Sequence, residues 1–295
     1  MNEPTEMDLP VDGGTLRVLR FGNGPRVAVA AHGITASGMS FRAMARHLPA
    51  EWTLYAPDLR GRGGSTGTPG PYGIDWHAAD LCLVAETLGG GRPVALTGQS
   101  MGAYVALRAA VRRPELFDRL LLIDGGLPLP VPEGADLDLL LDLTLGPAIA
   151  RLSQTYESDH AYVDFFRAHP ALGPQWSEDI EAYVRYDLSG PQGARRSKAR
   201  EDAVRQDGRD LLGSADAFGG DLGRLTVPAL LLHAPLGMLG QAPPMLPAVV
   251  VEHWVRQVVC LDAQLVEGSN HYTILMGTHA RTVAERLVSL PSDAA

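Results

Sequence analysis

The chain has 295 residues, 45% of them hydrophobic, enough to bury one sizeable core and an accessory lobe. Its formal charge is −9, from 34 acids against 25 Lys and Arg, and "GARRSKAR" at residues 193–200 is its densest basic run, so nucleic acid is not an expected partner. The opening "MNEPTEMDLP" carries acids where a secretion signal carries bases, no uncharged stretch is long enough to span a bilayer, and Cys82 and Cys260 fit no zinc motif. The expectation is a cytoplasmic protein, away from membranes, with two buried thiols and neither metal nor cofactor.

Four short apolar runs follow one another: "RVAVAAH" (26–32), "WTLYAPD" (52–58), "PVALTGQ" (93–99) and "RLLLIDGG" (119–126). Their uninterrupted apolarity predicts parallel strands buried on both faces. Between them lie helix-sized segments at 40–48, at 75–88 with Asp75 as its cap, and at 101–113, which Pro114 closes. Strand and helix in alternation with short links predict an α/β layered sheet. The alternation stops after Gly126 and resumes at "VPALLLHAP" (227–235), so residues 127–223 read as a helical cap without strands between two parts of one core, 1–126 and 224–295. "AQLVEGSNH" (263–271) supplies a last strand and "THARTVAERLVSL" (278–290) a last helix.

The chemistry is written at 98–102, where Gly98, Gln99, Ser100, Met101 and Gly102 spell GxSxG at a strand-to-helix junction. Such a turn is too sharp for Cβ atoms on both sides, which the two glycines remove, and it lifts the serine hydroxyl clear of the backbone. It also aims the Met101 N–H, at the positive end of the following helix, toward a developing oxyanion.

With "HGITASG" after an earlier strand, "DLRGRGGS" after the next and "GSNHYT" near the end, the chain resembles the α/β-hydrolase superfamily over nearly its whole length, the cap excepted. The resemblance implies that fold, a mostly parallel sheet flanked by helices, with a helical cap between the sixth and seventh strands. It implies that the Ile34 N–H is the second oxyanion donor, beside Met101. His32 reads as a brace for that loop, Thr35 as a locally bonded threonine, and Asp58, Arg60, Gly61 and Arg62 as a hydrogen-bonded turn.

A serine hydroxyl at neutral pH needs a base. His47, His160, His169, His253 and His279 lie in helix-like segments and read as surface or packing residues; His77, near a helix start, reads as a buried polar group or a pocket wall. His271 follows the last strand in a Gly-Ser-Asn loop and comes last in the order serine, acid, histidine, so it is the expected base. The family's usual acid, after the seventh strand, is missing: residues 229–251 hold no Asp or Glu, Glu252 falls in a helix-like stretch, and His233 stands at the strand end. The family's alternative, after the sixth strand, is filled by Asp124. Asp262 starts the last strand and falls on the opposite edge.

Ser100, His271 and Asp124 then imply attack on an acyl carbon, an acyl-enzyme and its hydrolysis. The expected substrate is a small, largely apolar carboxylic ester, lactone or thioester, with Leu139, Leu140, Leu143, Leu145, Phe165, Phe166 and Trp176 as cap walls. Carbon–carbon bond hydrolysis or perhydrolysis by the same triad, and a non-enzymatic small-molecule binder on this fold, are the alternatives.

Overall fold

Two strands without an apolar run open the chain: β1 (Thr5–Val11) and β2 (Gly14–Gly22) pair as an antiparallel hairpin, Val11 opposite Gly14. Their signal was the Asp12-Gly13 dipeptide, whose glycine takes φ +78° in the turn. The computed structural model describes residues 3–132 and 134–292. After the hairpin come β3 (Arg26–Ala31), α1 (Arg42–Ala45), β4 (Trp52–Pro57), α2 (Ile74–Leu88), β5 (Val94–Gln99), α3 (Met101–Arg112) and β6 (Phe117–Ile123). The helix expected over 40–48 is reduced to a 3₁₀ turn, Gly38–Phe41, running into the single turn of α1.

The sheet has eight strands in the order β1-β2-β4-β3-β5-β6-β9-β10, where β9 (Ala229–His233) and β10 (Leu261–Leu265) come late in the chain. β2 meets β4 antiparallel, and from β4 to β10 every pair is parallel. The apolar runs are explained by burial on both faces. Along β6, Leu120 and Leu122 pack into one core layer with α2 and α3, while Leu121 and Ile123 pack into the other with α1 and the last helix.

Between β6 and β9 the chain runs through α4 (Leu137–Leu152), α5 (Asp159–Arg167), α6 (Glu178–Tyr186), β7 (Leu188–Ser189), β8 (Arg196–Ser197), α7 (Glu201–Gly213) and α8 (Ala215–Arg224). We treat this excursion as the cap. It is not strand-free: β7 and β8 form a two-residue antiparallel ribbon, too short to leave a periodic trace. The chain ends with α9 (Ala248–Gln257), β10, α10 (Thr273–Met276) and α11 (Ala280–Ser289). The strand expected over 263–271 stops at Leu265, and its remainder is the loop that carries His271.

Asp75 does not cap α2. Gly73 holds the cap position, and its N–H goes to Asp207 Oδ1 (2.5 Å) while the Ile74 N–H goes to Asp210 Oδ2 (2.7 Å), both carboxylates arriving from α7. Asp75, one residue further in, is taken up by Arg108 and Arg112 of α3. Orphan helix N–H groups need an acceptor, and tertiary structure supplied it from 134 and 136 residues away. Among the described residues no helix is long and apolar enough to cross a membrane.

The strand order places the site. After β3 the chain steps outward to β4, then returns to lay β5 on the other flank of β3. At such a switch point the loops leaving the two strands diverge and open a crevice at the sheet's carboxyl edge. The loop after β3 begins with His32, and the turn after β5 is Ser100.

Candidate active site

Ser100 sits between β5 and α3 with φ 55° and ψ −124°, a conformation that costs a non-glycine residue about 1–3 kcal/mol and is held by its surroundings. Its N–H donates to the Ile123 carbonyl of β6 (2.9 Å), and its carbonyl accepts from Ala103 N–H (2.9 Å). The flanking glycines are required by close approach: a Cβ on Gly98 would stand 2.0 Å from the Gly102 carbonyl oxygen, and one on Gly102 2.0 Å from that of Ala31. α3 therefore packs directly on the ends of β3 and β5, and the hydroxyl is left above the edge.

His271 meets that hydroxyl. Its Nε2 lies 3.0 Å from Ser100 Oγ and its Nδ1 lies 2.6 Å from Asp124 Oδ2. The carboxylate can only accept, so Nδ1 carries the proton toward Asp124 and Nε2 is left to accept the serine proton. Asp124 follows β6 at φ 46°, its N–H donating to Leu232 of β9 (2.8 Å), and its Oδ1 accepts the Ala234 N–H (3.1 Å). All three side chains thus come from one rim of the sheet, and Asp124 and His271 are nearly sealed from water.

The other acids and histidines stay apart. Asp262 lies on β10, Glu252 on α9 with an exposed side chain, and His233 half-buried at the end of β9, where burial lowers its pKa and the charge of Asp124 partly offsets that. His77 is buried in α2 against Asp207, and His160, His253 and His279 lie on or at the ends of cap and surface helices. His169 is one of the packing residues: it follows α5, is half-buried and packs edge-on against Tyr272, its ring centroid 5.4 Å away.

Two positioning side chains carried no sequence signal. Gln99, a wild card of the GxSxG pattern, donates its amide to the His271 carbonyl (3.0 Å), tying the loop of His271 to the strand that leads into Ser100. Asn270 accepts the N–H groups of Tyr272 and Thr273 (3.0 Å each) and donates to Ala171 of the cap (2.9 Å). Only contacts between distant segments distinguish these amides from surface ones.

The N–H of Met101 is the first of α3 and has no intrahelical acceptor. Ile34, 7% exposed, follows Gly33, whose own Cβ would come 3.4 Å from Ser100 Cβ. The Gly33 carbonyl shares a peptide plane with the Ile34 N–H. It accepts from Ala36 N–H (3.0 Å) and from His32 Nδ1–H (2.8 Å), while His32 Nε2 accepts from Leu59 N–H (2.9 Å). Holding the carbonyl fixes the opposed N–H. That arrangement needs a neutral imidazole, and full burial pushes the His32 pKa down to about 3.

Asp58 closes the next turn, accepting Gly38 N–H (2.7 Å), Gly64 N–H (2.6 Å) and the Tyr186 hydroxyl of the cap (2.7 Å). Arg60 pairs with Asp80 through two buried bonds of 2.6 and 2.8 Å.

Ser100 and His271 open into a cavity of about 130 Å³ walled by Leu129, Leu141, Leu145, Leu211, Leu212 and Met276, among others. Among the described residues its lining includes no Asp, Glu, Lys or Arg. Thr35, Tyr183, Met238 and Tyr272 also line a second cavity of about 190 Å³, whose rim holds Leu143, Phe165 and Leu239, exposed 71, 39 and 58%. Together the two reach the lower end of small-molecule sites, roughly 300 Å³. Of the walls expected from the cap, Leu143, Leu145, Phe165 and Phe166 line these cavities. Leu139 is mostly exposed and Trp176 packs under Arg167 instead. The helix period leaves open which leucines of α4 face inward until α7 packs beside it.

The fold agrees with the family comparison. Residues 29–251 match the model of the alpha/beta hydrolase fold, and the chain belongs to that family. It is 36% identical over 140 residues to lipase LipV of Mycobacterium tuberculosis, 46% of this chain and 52% of the lipase. It is also 36% identical over 107 residues to N-formylmaleamate deformylase of Pseudomonas putida, 36% of this chain and 40% of the deformylase. The matched stretches thus span about half or less of these relatives. Among solved structures, the thioesterase domain of the curacin biosynthetic pathway superposes with TM-score 0.76 at 20% identity over 98% of this chain and all of that one. E-2-(acetamidomethylene)succinate hydrolase gives 0.76 at 24% identity over 95% and 97%. At such identities the likeness is one of fold.

Proposed function

We propose that the protein is a serine hydrolase that cleaves esters or thioesters of small, largely apolar acids through an acyl-enzyme on Ser100. The observation that carries this reading is the chain of contacts Ser100 Oγ–His271 Nε2 (3.0 Å) and His271 Nδ1–Asp124 Oδ2 (2.6 Å) at the floor of an apolar cavity. His271 takes the serine proton as Oγ attacks the carbonyl carbon. The Ile34 and Met101 N–H groups receive the oxyanion, and each such donor is worth about 3 kcal/mol of barrier. His271 then returns the proton to the leaving alcohol or thiol, and a water repeats the sequence to release the acid.

The cavity also argues against the kind of substrate for which one structural neighbour is named, an (acetamidomethylene)succinate. A substrate with two carboxylates calls for Arg or Lys partners. Among the described residues the inner cavity is lined by neither, and Arg151, which lines the outer one, is engaged by Asp187 at 3.0 Å. An apolar acyl group fits the walls; a dianion does not.

The test is labelling of Ser100 by a fluorophosphonate, with Ser100→Ala as control, followed by a panel of p-nitrophenyl esters from acetate to decanoate and a hemisuccinate ester. The expected result is labelling at Ser100 and turnover of the apolar esters well above the hemisuccinate. A labelled protein inert toward every ester would refute the ester reading in favour of carbon–carbon or perhydrolytic chemistry. Ligand binding unaffected by Ser100→Ala, without labelling or turnover, would refute catalysis altogether.

A further inference from the structure

Arg62 and Asp207 form an ion pair with both side chains fully buried, Arg62 Nη1 to Asp207 Oδ2 at 2.5 Å. Asp207 belongs to α7 of the cap; Arg62 lies in the turn after β4. Burying two charges is expensive unless each is well bonded, and a pair of apolar residues would serve packing alone at least as well. The bonds made by the rest of each side chain indicate what the pair does.

On the core side, Arg62 Nε donates to the carbonyl of Ile34 (3.0 Å), and Nη1 also donates to the carbonyl of Arg60 (2.9 Å). Ile34 is the residue whose N–H is assigned to the oxyanion. His32 and Ala36 hold the peptide before it and Arg62 holds the peptide after it, so the loop is gripped on both sides. The guanidinium's fixed fork suits this task, because one planar group spans Ile34, Arg60 and Asp207 at once.

On the cap side, Asp207 also accepts Gly73 N–H (2.5 Å) and faces His77 Nε2 (3.0 Å), both at the start of α2. Burial would raise its pKa, but the Arg62 guanidinium and His77 outweigh burial and hold it at about 2, so it stays ionised. The next residue, Gly208, and then Leu211 and Leu212 on the same helix line the inner cavity. α7 is pressed closely onto α4: a Cβ on Gly208 would stand 2.5 Å from Leu141. One helix therefore touches the acyl space with Gly208, Leu211 and Leu212 and grips the oxyanion loop, through Arg62, with Asp207.

We propose that Arg62 and Asp207 are positioning residues that couple the seating of the cap to the oxyanion hole. An acyl group filling the cavity holds α7 in place, α7 holds Arg62 through Asp207, and Arg62 fixes the Ile34 peptide. The proposal rests on the hydrolase reading above. It differs from a purely structural role in predicting that loss of the pair weakens transition-state binding and leaves substrate binding nearly intact.

The experiment measures kcat, KM, the pH profile of kcat/KM and the affinity of an alkyl boronic acid, a tetrahedral mimic, in wild type and variants. Asp207→Asn keeps the acceptor for Gly73 but strands the Arg62 charge, so it can fail to fold. The double variant Arg62→Met/Asp207→Asn removes both charges together and keeps the protein testable. The expected result is a 10- to 100-fold fall in kcat and an equal loss of boronate affinity, with KM within threefold and the pH profile unchanged. Tyr186→Phe removes another tether from cap to core, the bond to Asp58, and should leave kcat and boronate affinity at wild-type values.

Wild-type kcat and boronate affinity in a folded double variant would overturn the proposal. So would a change in KM alone, or an equal loss of kcat in Tyr186→Phe, since either would mean that the pair only fastens the cap. Failure of wild type to label with fluorophosphonate would instead refute the parent reading.

Discussion

Asp124→Asn isolates the role of the sixth-strand carboxylate, because the structure dictates which way the new amide faces. Oδ1 of Asp124 accepts the Ala234 N–H at 3.1 Å, and Oδ2 accepts His271 Nδ1–H at 2.6 Å. In the variant the amide oxygen must remain on the Ala234 N–H, since an NH₂ group there would set donor against donor. The amide nitrogen then faces His271 Nδ1, which has to accept. The imidazole proton moves to Nε2 and points at Ser100 Oγ, 3.0 Å away, where the base should be. The expected loss is the one known for a wrong histidine tautomer in a serine triad, about 10⁴-fold in kcat, or about 5.5 kcal/mol of barrier. KM should change little, because Asp124 does not line the cavity. The assay is turnover of a p-nitrophenyl ester, with unfolding by urea showing the variant folded. A variant that is folded and keeps a tenth or more of wild-type kcat would refute the assignment of Asp124 and the amide-orientation argument with it.

His32, neutral with its pKa at about 3 against an unfolded value near 6.5, contributes stability that is complete above pH 6.5 and lost as pH falls toward 3. The loss is about 3 kcal/mol by pH 4.5, so urea unfolding at pH 7 and 4.5 should show a smaller acid penalty in His32→Asn than in wild type. An equal penalty in both would show that His32 does not carry it. Gly102→Ala places a Cβ 2.0 Å from the Ala31 carbonyl oxygen and should destabilise by about 3 kcal/mol while displacing Ser100. Unchanged urea midpoint and kcat would contradict the close approach of α3 and β3. Gln99→Leu removes the bond to the His271 carbonyl and should lower kcat about tenfold, read from ester turnover at saturating substrate. Wild-type kcat in that variant would show that the bond does not position the base.

The sequence by itself determined the elements whose cause is local. Uninterrupted apolar runs at 26–32, 52–58, 93–99 and 119–126 reflect strands buried on both faces. The glycines around Ser100 reflect a turn with no room for Cβ atoms, and the resemblance to the α/β-hydrolases, whose usual carboxylate position after β9 is empty here, implied Asp124, which does face His271. Only the tertiary structure decided what depends on segments far apart in the chain. Asp207 and Asp210 cap α2 in place of Asp75, Gln99 holds the loop of His271, and α7 and α4 select which cap leucines face the cavity. In each case the deciding contact joins groups whose residue types are ordinary at their own positions. A carboxylate on a helix reads as solvated until a buried guanidinium or an orphan N–H is folded against it, and no periodicity along the chain records that meeting.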